Sequence, residues 1–175
     1  MYFANFPLIP YDSVGNGNYK LVTNLMKRVA LRSKVRTNIM LFDTYEVKEG
    51  ETPEMLADKL YGDPNLHWII MYVNGITDRY HQWPLTTPQF LAFVNDKYSN
   101  PDGTHHYEIT QTSGDTTVTI DIGSDNTSHS DATLITNYEY EEKRQDTLRK
   151  IRLLDPIYVD QFVEEFQSLI GQSVL

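Results

Sequence analysis

Residues 45–75 read YEVKEGETPEMLADKLYGDPNLHWIIMYVNG, and this stretch decides the fold. Thr52 is placed to cap a helix whose first position is Pro53, a residue with no amide to leave unpaired there. Gly62 supplies a left-handed stop. Asp63 and Pro64 repeat the cap-plus-proline start at once, and Leu66, Ile69, Ile70 and Val73 recur at helical spacing before Asn74-Gly75 ends the second helix. Two short helices in a tight hairpin follow. The run before them, Ile39 to Val47, is rich in β-branched and aromatic residues and reads as a strand. One strand does not cover two helices, so a second is expected at Ile76 to Leu85, where Tyr80 and Trp83 supply apolar surface and Pro84 limits the length.

The same residues resemble a LysM module: a strand ending in Gly plus an acidic residue, a helix closing on Tyr-Gly, and a helix closing on Asn-Gly. The expected fold class is therefore α+β, with a small LysM-like βααβ core over 39–86. Residues 1–38 are read as an extended arm and a basic amphipathic helix, 87–103 as a helix, 104–137 as an acidic Ser/Thr-rich hairpin and loop, and 138–175 as carboxy-terminal strands and a helix.

The flanks carry most of the remaining information. Residues 2–11 are aromatic and proline-bounded, which disfavours a helix and makes an apolar arm, hinged at Gly15-Asn16-Gly17-Asn18. Removing the arm is expected to leave the core folded. Leu21, Leu25 and Val29 then have helical spacing, with Lys20, Lys27, Arg28, Arg32, Lys34 and Arg36 on the other side. Thr87-Pro88 opens a helix carrying Phe90, Leu91, Phe93 and Val94. Between Thr110 and Thr133, eighteen of twenty-four residues are Ser, Thr, Asp, Asn or Gly, but Val118, Ile120 and Ile122 alternate as on a strand face. A hairpin over 105–122, turning at Ser113-Gly114-Asp115, is predicted, followed by a loop. Leu134 to Tyr140 and Arg149 to Leu154 read as extended. Asp155-Pro156 starts a last helix with Val159, Phe162, Val163, Phe166, Leu169 and Ile170 as a continuous stripe, covered either by this chain or by another subunit.

Composition narrows the function. The 175 residues contain no cysteine, which removes disulfides and thiolate metal sites. No signal peptide or membrane span is apparent, and synthesis in the cytosol is expected. The formal charge is −9, and residues 98–142 hold nine Asp or Glu with no Lys or Arg, a bias opposite to that of a nucleic-acid binder. No phosphate loop, zinc helix or nucleophile elbow occurs. Adjacent His105 and His106 point to opposite faces of a strand, poor geometry for a metal. No cofactor, metal or catalytic residue is expected.

Aromatic side chains, 12 % of the chain, are the functional candidates. Trp68 and Tyr72 make the second helix apolar on a second side, covered either internally or by a partner. The candidate interface set is Tyr2, Phe3, Phe6, Arg28, Arg32, Trp68, Tyr72, Tyr80, Trp83, Phe162 and Phe166.

Taken together, the basic segment, the 45–75 stretch, Tyr80-His81-Gln82-Trp83 and Arg149-Lys150-Ile151-Arg152 before an Asp-capped helix resemble the baseplate wedge protein 53 family of contractile-tailed, T-even-like phages. Residues 104–137 depart from it. The resemblance implies a structural virion protein that clamps neighbouring wedges around the hub, assembled in the host cytoplasm into a large hetero-oligomer. Its partners would be the other wedge subunits and the sheath-initiator protein, with no nucleic acid and no membrane. The alternative implied by the LysM-like pattern is a peptidoglycan-binding module.

Overall fold

The computed structural model describes residues 2–30, 38–125 and 128–172 and divides into two compact units. The first comprises 1–46, 51–82 and 151–175, and the second 47–50 and 83–150. The fold is α+β.

The first unit is built on the predicted helix hairpin. Helix α1 (Pro53–Tyr61) is capped by Thr52, whose hydroxyl accepts the Met55 amide at 3.3 Å. Gly62 ends it at φ +72°. A 3-10 turn at Pro64–Leu66, capped by Asp63, leads into α2 (His67–Asn74), which Gly75 closes at φ +68°. Leu56, Ala57, Ile69 and Ile70 are fully buried. Strand β3 (Phe42–Glu46) precedes the hairpin, shorter than the expected 39–47 because Ile39–Leu41 forms a 3-10 turn.

Its partner is not where the sequence placed it. Residues 76–85 contain a short helix, α3 (Arg79–Gln82), and no strand. The Gln82 side-chain oxygen accepts the amides of Thr77 (2.8 Å) and Asp78 (2.9 Å), and Asp78 accepts that of Tyr80 (2.9 Å). Side chains thus take the donors that a ladder would need. β3 pairs instead with the strand Lys150–Leu154 (β7 below). Asp155 N–H donates to Leu41 C=O beyond one end, and Val47 N–H to Arg149 C=O beyond the other, so residue numbers run in opposite directions and the pair is antiparallel. The motif residues hold this distant strand. Tyr61 Oη donates to Leu154 C=O (3.0 Å), while the Asn74 amide donates to Arg152 C=O (2.7 Å) and accepts its N–H (2.8 Å).

A second correction concerns the predicted basic helix. Lys20–Thr23 is a strand, β2, antiparallel to β1 (Leu8–Tyr11), with Ile9 opposite Val22 and Pro10 opposite Leu21. Val22 and Thr23 are β-branched, and the Gly15 and Gly17 turn (φ +73° and +81°) brings two β-prone runs together, so local cross-strand pairing prevails over helical spacing. Residues 31–37 of the predicted helix lie outside the described residues. The Gly-Asn segment is therefore the apex of a ribbon. Before it, Tyr2–Asn5 forms a 3-10 turn.

In the second unit, helix α4 (Thr87–Lys97) has Thr86, one residue earlier than predicted, at its cap, with Gln89 accepting the Thr86 amide at 3.2 Å. Glu49 also accepts the Thr87 amide at 3.0 Å. Strands β4 (Thr104–Ser113) and β5 (Thr116–Asp121) form the expected hairpin, and β6 (Thr133–Thr136) pairs with the other edge of β4, all antiparallel. The stretch read as extended from Leu134 becomes helix α5 (Asn137–Arg149) after Thr136. Thr136 and Glu139 form a reciprocal cap, Oγ1 accepting the Glu139 amide at 3.2 Å and the carboxylate accepting the Thr136 amide at 2.8 Å. That cap starts a helix whose polar sequence lacks a regular apolar stripe. Phe90, Val94 and Ile135 are among the buried apolar residues here.

Strand β7 (Lys150–Leu154) then returns the chain to the first unit, where helix α6 (Val159–Gln172) follows the 3-10 turn Pro156–Tyr158.

Candidate protein interface

Six of the candidate aromatics meet in one cluster of the first unit. Trp68 and Tyr72 project from α2, Phe162 and Phe166 from α6, and Tyr2 and Phe6 from the amino-terminal turn. Ring centroids lie 4.7 Å apart for Trp68–Phe166, 5.2 Å for Tyr2–Trp68, 5.1 Å for Tyr2–Phe6 and 6.0 Å for Tyr72–Phe162. The pairs are tilted or edge-on, the arrangements that ring quadrupoles favour. Trp68 and Phe166 are buried, and Phe6 joins the same core with Phe42, Val73, Leu154 and Ile170.

The second side of α2 and most of the α6 stripe are thus covered by this chain, while Leu169 at the stripe's edge stays 41 % exposed. The amino-terminal arm divides in two, since Tyr2 and Phe6 belong to the core while Leu8–Tyr11 does not. Burial pushes the Tyr72 hydroxyl up to about 12, with the neighbouring Tyr2 adding to the effect. That hydroxyl donates to Val29 C=O.

The other candidates are dispersed. Phe3 is exposed at the cluster's rim, 5.7 Å from the Phe6 ring, and Tyr80 on α3 is almost wholly exposed. Arg28 is exposed. Trp83 is buried in the second unit, and Arg32 lies outside the described residues.

The sequence marked residues 2–11 as an apolar arm but not its pairing with Lys20–Thr23, which gathers the bare apolar residues of the β1–β2 ribbon and its flanks. Leu8, Tyr11, Val14, Tyr19, Leu21, Leu25 and Met26 are each more than half exposed. The ribbon is anchored at its base and tied at its apex. Asn24, buried, donates its amide to Pro7 C=O at 2.8 Å. At the apex, Asp12 accepts the amides of Val14, Gly15, Asn16 and Gly17 at 3.1, 2.8, 3.3 and 2.7 Å, and these bonds, Gly17's foremost, hold its carboxyl below the usual range. The available signal was the Gly-Asn apex between two β-prone runs.

The second unit contains a polar cluster without catalytic geometry. Glu141 is fully buried on α5 and accepts from Lys97 and, at 3.0 Å, from Tyr98 Oη; Arg144 lies 3.6 Å from its other oxygen. Burial alone would raise its carboxyl, but the Lys97 and Tyr98 hydrogen bonds outweigh it and hold it below the ordinary range. Lys143, with help from His106, does the same for Glu108. Contrary to expectation, the His105 and His106 rings meet, Nδ1 to Nδ1 at 2.8 Å, because an irregularity in register between Thr104 and His106 interrupts the alternation of β4. Among the described residues, no group of three or more His, Asp, Glu or Cys is arranged to hold a metal, and no helix is long and apolar enough to cross a membrane.

Comparison with known sequences adds to this geometry. The family described as Base plate wedge protein 53 matches residues 1–113. Baseplate wedge protein gp53 of Enterobacteria phage T4 is 30 % identical over 99 residues, which is 57 % of this chain. The match spans 45 % of that relative's length, a little under half.

Proposed function

We propose that this chain, which belongs to the Base plate wedge protein 53 family, is a structural subunit of a phage tail baseplate wedge that clamps neighbouring wedges around the hub. Its partners on this reading are the other wedge subunits and the sheath-initiator protein, met in the host cytoplasm during assembly. The observation that carries the reading is the division of apolar surface in the first unit. The aromatic cluster fastens the Tyr2–Asn5 turn and α6 to α2, while a pinned ribbon keeps its apolar side chains in solvent. A subunit held on several faces gains from high effective concentration, so modest contacts close a ring. Of the sequence-derived candidates, Phe3, Arg28 and Tyr80 are exposed, which supports a part for them in such contacts.

The test is baseplate assembly in a phage whose copy of this chain is disabled. Wedges that accumulate without joining into rings support the clamp; complete baseplates formed without the chain contradict it. Retention of the purified chain on insoluble peptidoglycan, competed away by chitin oligomers, would favour glycan binding instead.

A further inference from the structure

Resting on the baseplate reading, we propose that the β1–β2 ribbon is a docking arm that enters an apolar cleft with an acidic rim on another wedge protein, which covers both faces of the ribbon.

The register defines those faces. Leu8, Pro10, Leu21 and Thr23 share one side, and Ile9, Tyr11, Lys20 and Val22 share the other, so each face carries three apolar residues and one polar one at its end. A ribbon lying on its own domain alternates apolar and polar positions, whereas here Leu8 and Leu21 are 61 % and 71 % exposed on one face and Tyr11 is 55 % exposed on the other. A flat partner would cover one face and leave its opposite wet. A cleft covers both.

The arm is also preformed. Phe6 is locked in the core before β1, Asn24 is buried after β2, Val29 C=O is held by Tyr72, and Asp12 ties the apex. Few backbone torsions remain to be ordered on docking, so more of the apolar burial appears as affinity.

Charge identifies the rim. Residues 2–30 contain three Lys or Arg and one acidic residue, Asp12, giving 3 − 1 = +2 in a chain of formal charge −9. Asp12 is engaged with the loop amides, which leaves Lys20, Lys27 and Arg28 to face a partner.

Other occupants fit less well. Nucleic acid is recognised through planar and cationic side chains along the contact, whereas the strands offer mostly aliphatic groups and a single cation, Lys20. A bilayer would have to receive the apex first, and Asp12-Ser13, Asn16 and Asn18 make that apex polar. A symmetric contact between two arms would set like charge on like charge.

The experiment uses the full chain in assembled baseplates, with photoreactive benzoylphenylalanine at Leu21 in one preparation and at Val22 in another. Both are expected to crosslink to the same wedge protein, within segments richer in Asp and Glu than in Lys and Arg. The charge reversal Lys27→Glu with Arg28→Glu is expected to slow incorporation about tenfold with an unchanged melting temperature. Crosslinks from one face only, crosslinks to a second copy of this chain, to nucleic acid or to lipid, or incorporation indifferent to the reversal would each overturn the docking arm. Absence of the unmodified chain from purified baseplates would instead overturn the baseplate reading, so the two failures are distinguishable.

Discussion

Helix α6 and the β1–β2 ribbon are both apolar, yet the chain buries one and leaves the other bare. In α6 the apolar residues fall on a single stripe, which Trp68 and Tyr72 on α2 are shaped to receive. In the ribbon they fall on both faces, and its short strands are exposed along nearly their whole length. Apolar content therefore measures how much cover a segment needs, while the number of faces it occupies governs whether one element of the same chain can supply that cover. A two-stranded ribbon is marginal alone in water, so the pins at Phe6, Asn24 and Asp12 account for its persistence here.

Substitutions on the covered side have the largest effect. Phe166→Ala should cost about 3–5 kcal/mol by leaving a cavity among Tyr2, Trp68 and Tyr72. Urea denaturation of a Trp83→Phe background, where Trp68 is the sole tryptophan, checks it. A loss below about 1 kcal/mol would mean that α6 is not integral to the core.

Helix α5 sharpens the contrast, since it lacks a regular stripe and is fastened by a buried carboxylate. Glu141→Ala should cost the second unit about 2 kcal/mol, an amount discounted because Lys97 is partly exposed. Trp83 emission in a Trp68→Phe background reports it. The native Glu141 and Glu108 carboxyls sit below their unfolded values, so their stabilisation is fully present above about pH 4.3 and is lost as pH falls through the lower native values. Acid titration of the same Trp83 signal should lose less in the Glu141→Ala protein than in the parent.

On the bare side, Leu21→Ser should change stability by less than about 0.5 kcal/mol while reducing incorporation into baseplates. Parallel melting and assembly assays separate the two effects. Least of all, Asp12→Asn should leave the melting temperature unchanged and speed hydrogen exchange at the Gly15 and Gly17 amides, because it removes a charged acceptor from the apex alone.

What was legible in the sequence was local. Thr52-Pro53, Asp63-Pro64, Gly62 and Gly75 specify caps and stops within a few residues, and the α6 stripe and the turn at Gly114-Asp115 are equally short-range. The pairing of β3 with β7 was hidden because about a hundred residues separate the strands and no periodicity crosses that distance. Asn74 and Tyr61 were read as helix endings, though they also hold β7 through its backbone. Helix α5 escaped because its helicity rests on the Thr136–Glu139 cap and on buried Glu141 and Gln145 rather than on a stripe. The ribbon escaped because Leu21, Leu25 and Val29 have helical spacing by coincidence, while the pairing partner of Val22 lies thirteen residues earlier, at Ile9.

Hydrogen exchange of the free chain and of the chain within baseplates tests the division most directly. Amides of α2 and α6 should already be protected in the free chain and change little, whereas those of Leu8–Tyr11 and Lys20–Thr23 should gain protection on assembly. Protection of α6 that arises only in baseplates, with the ribbon unaltered, would contradict the account.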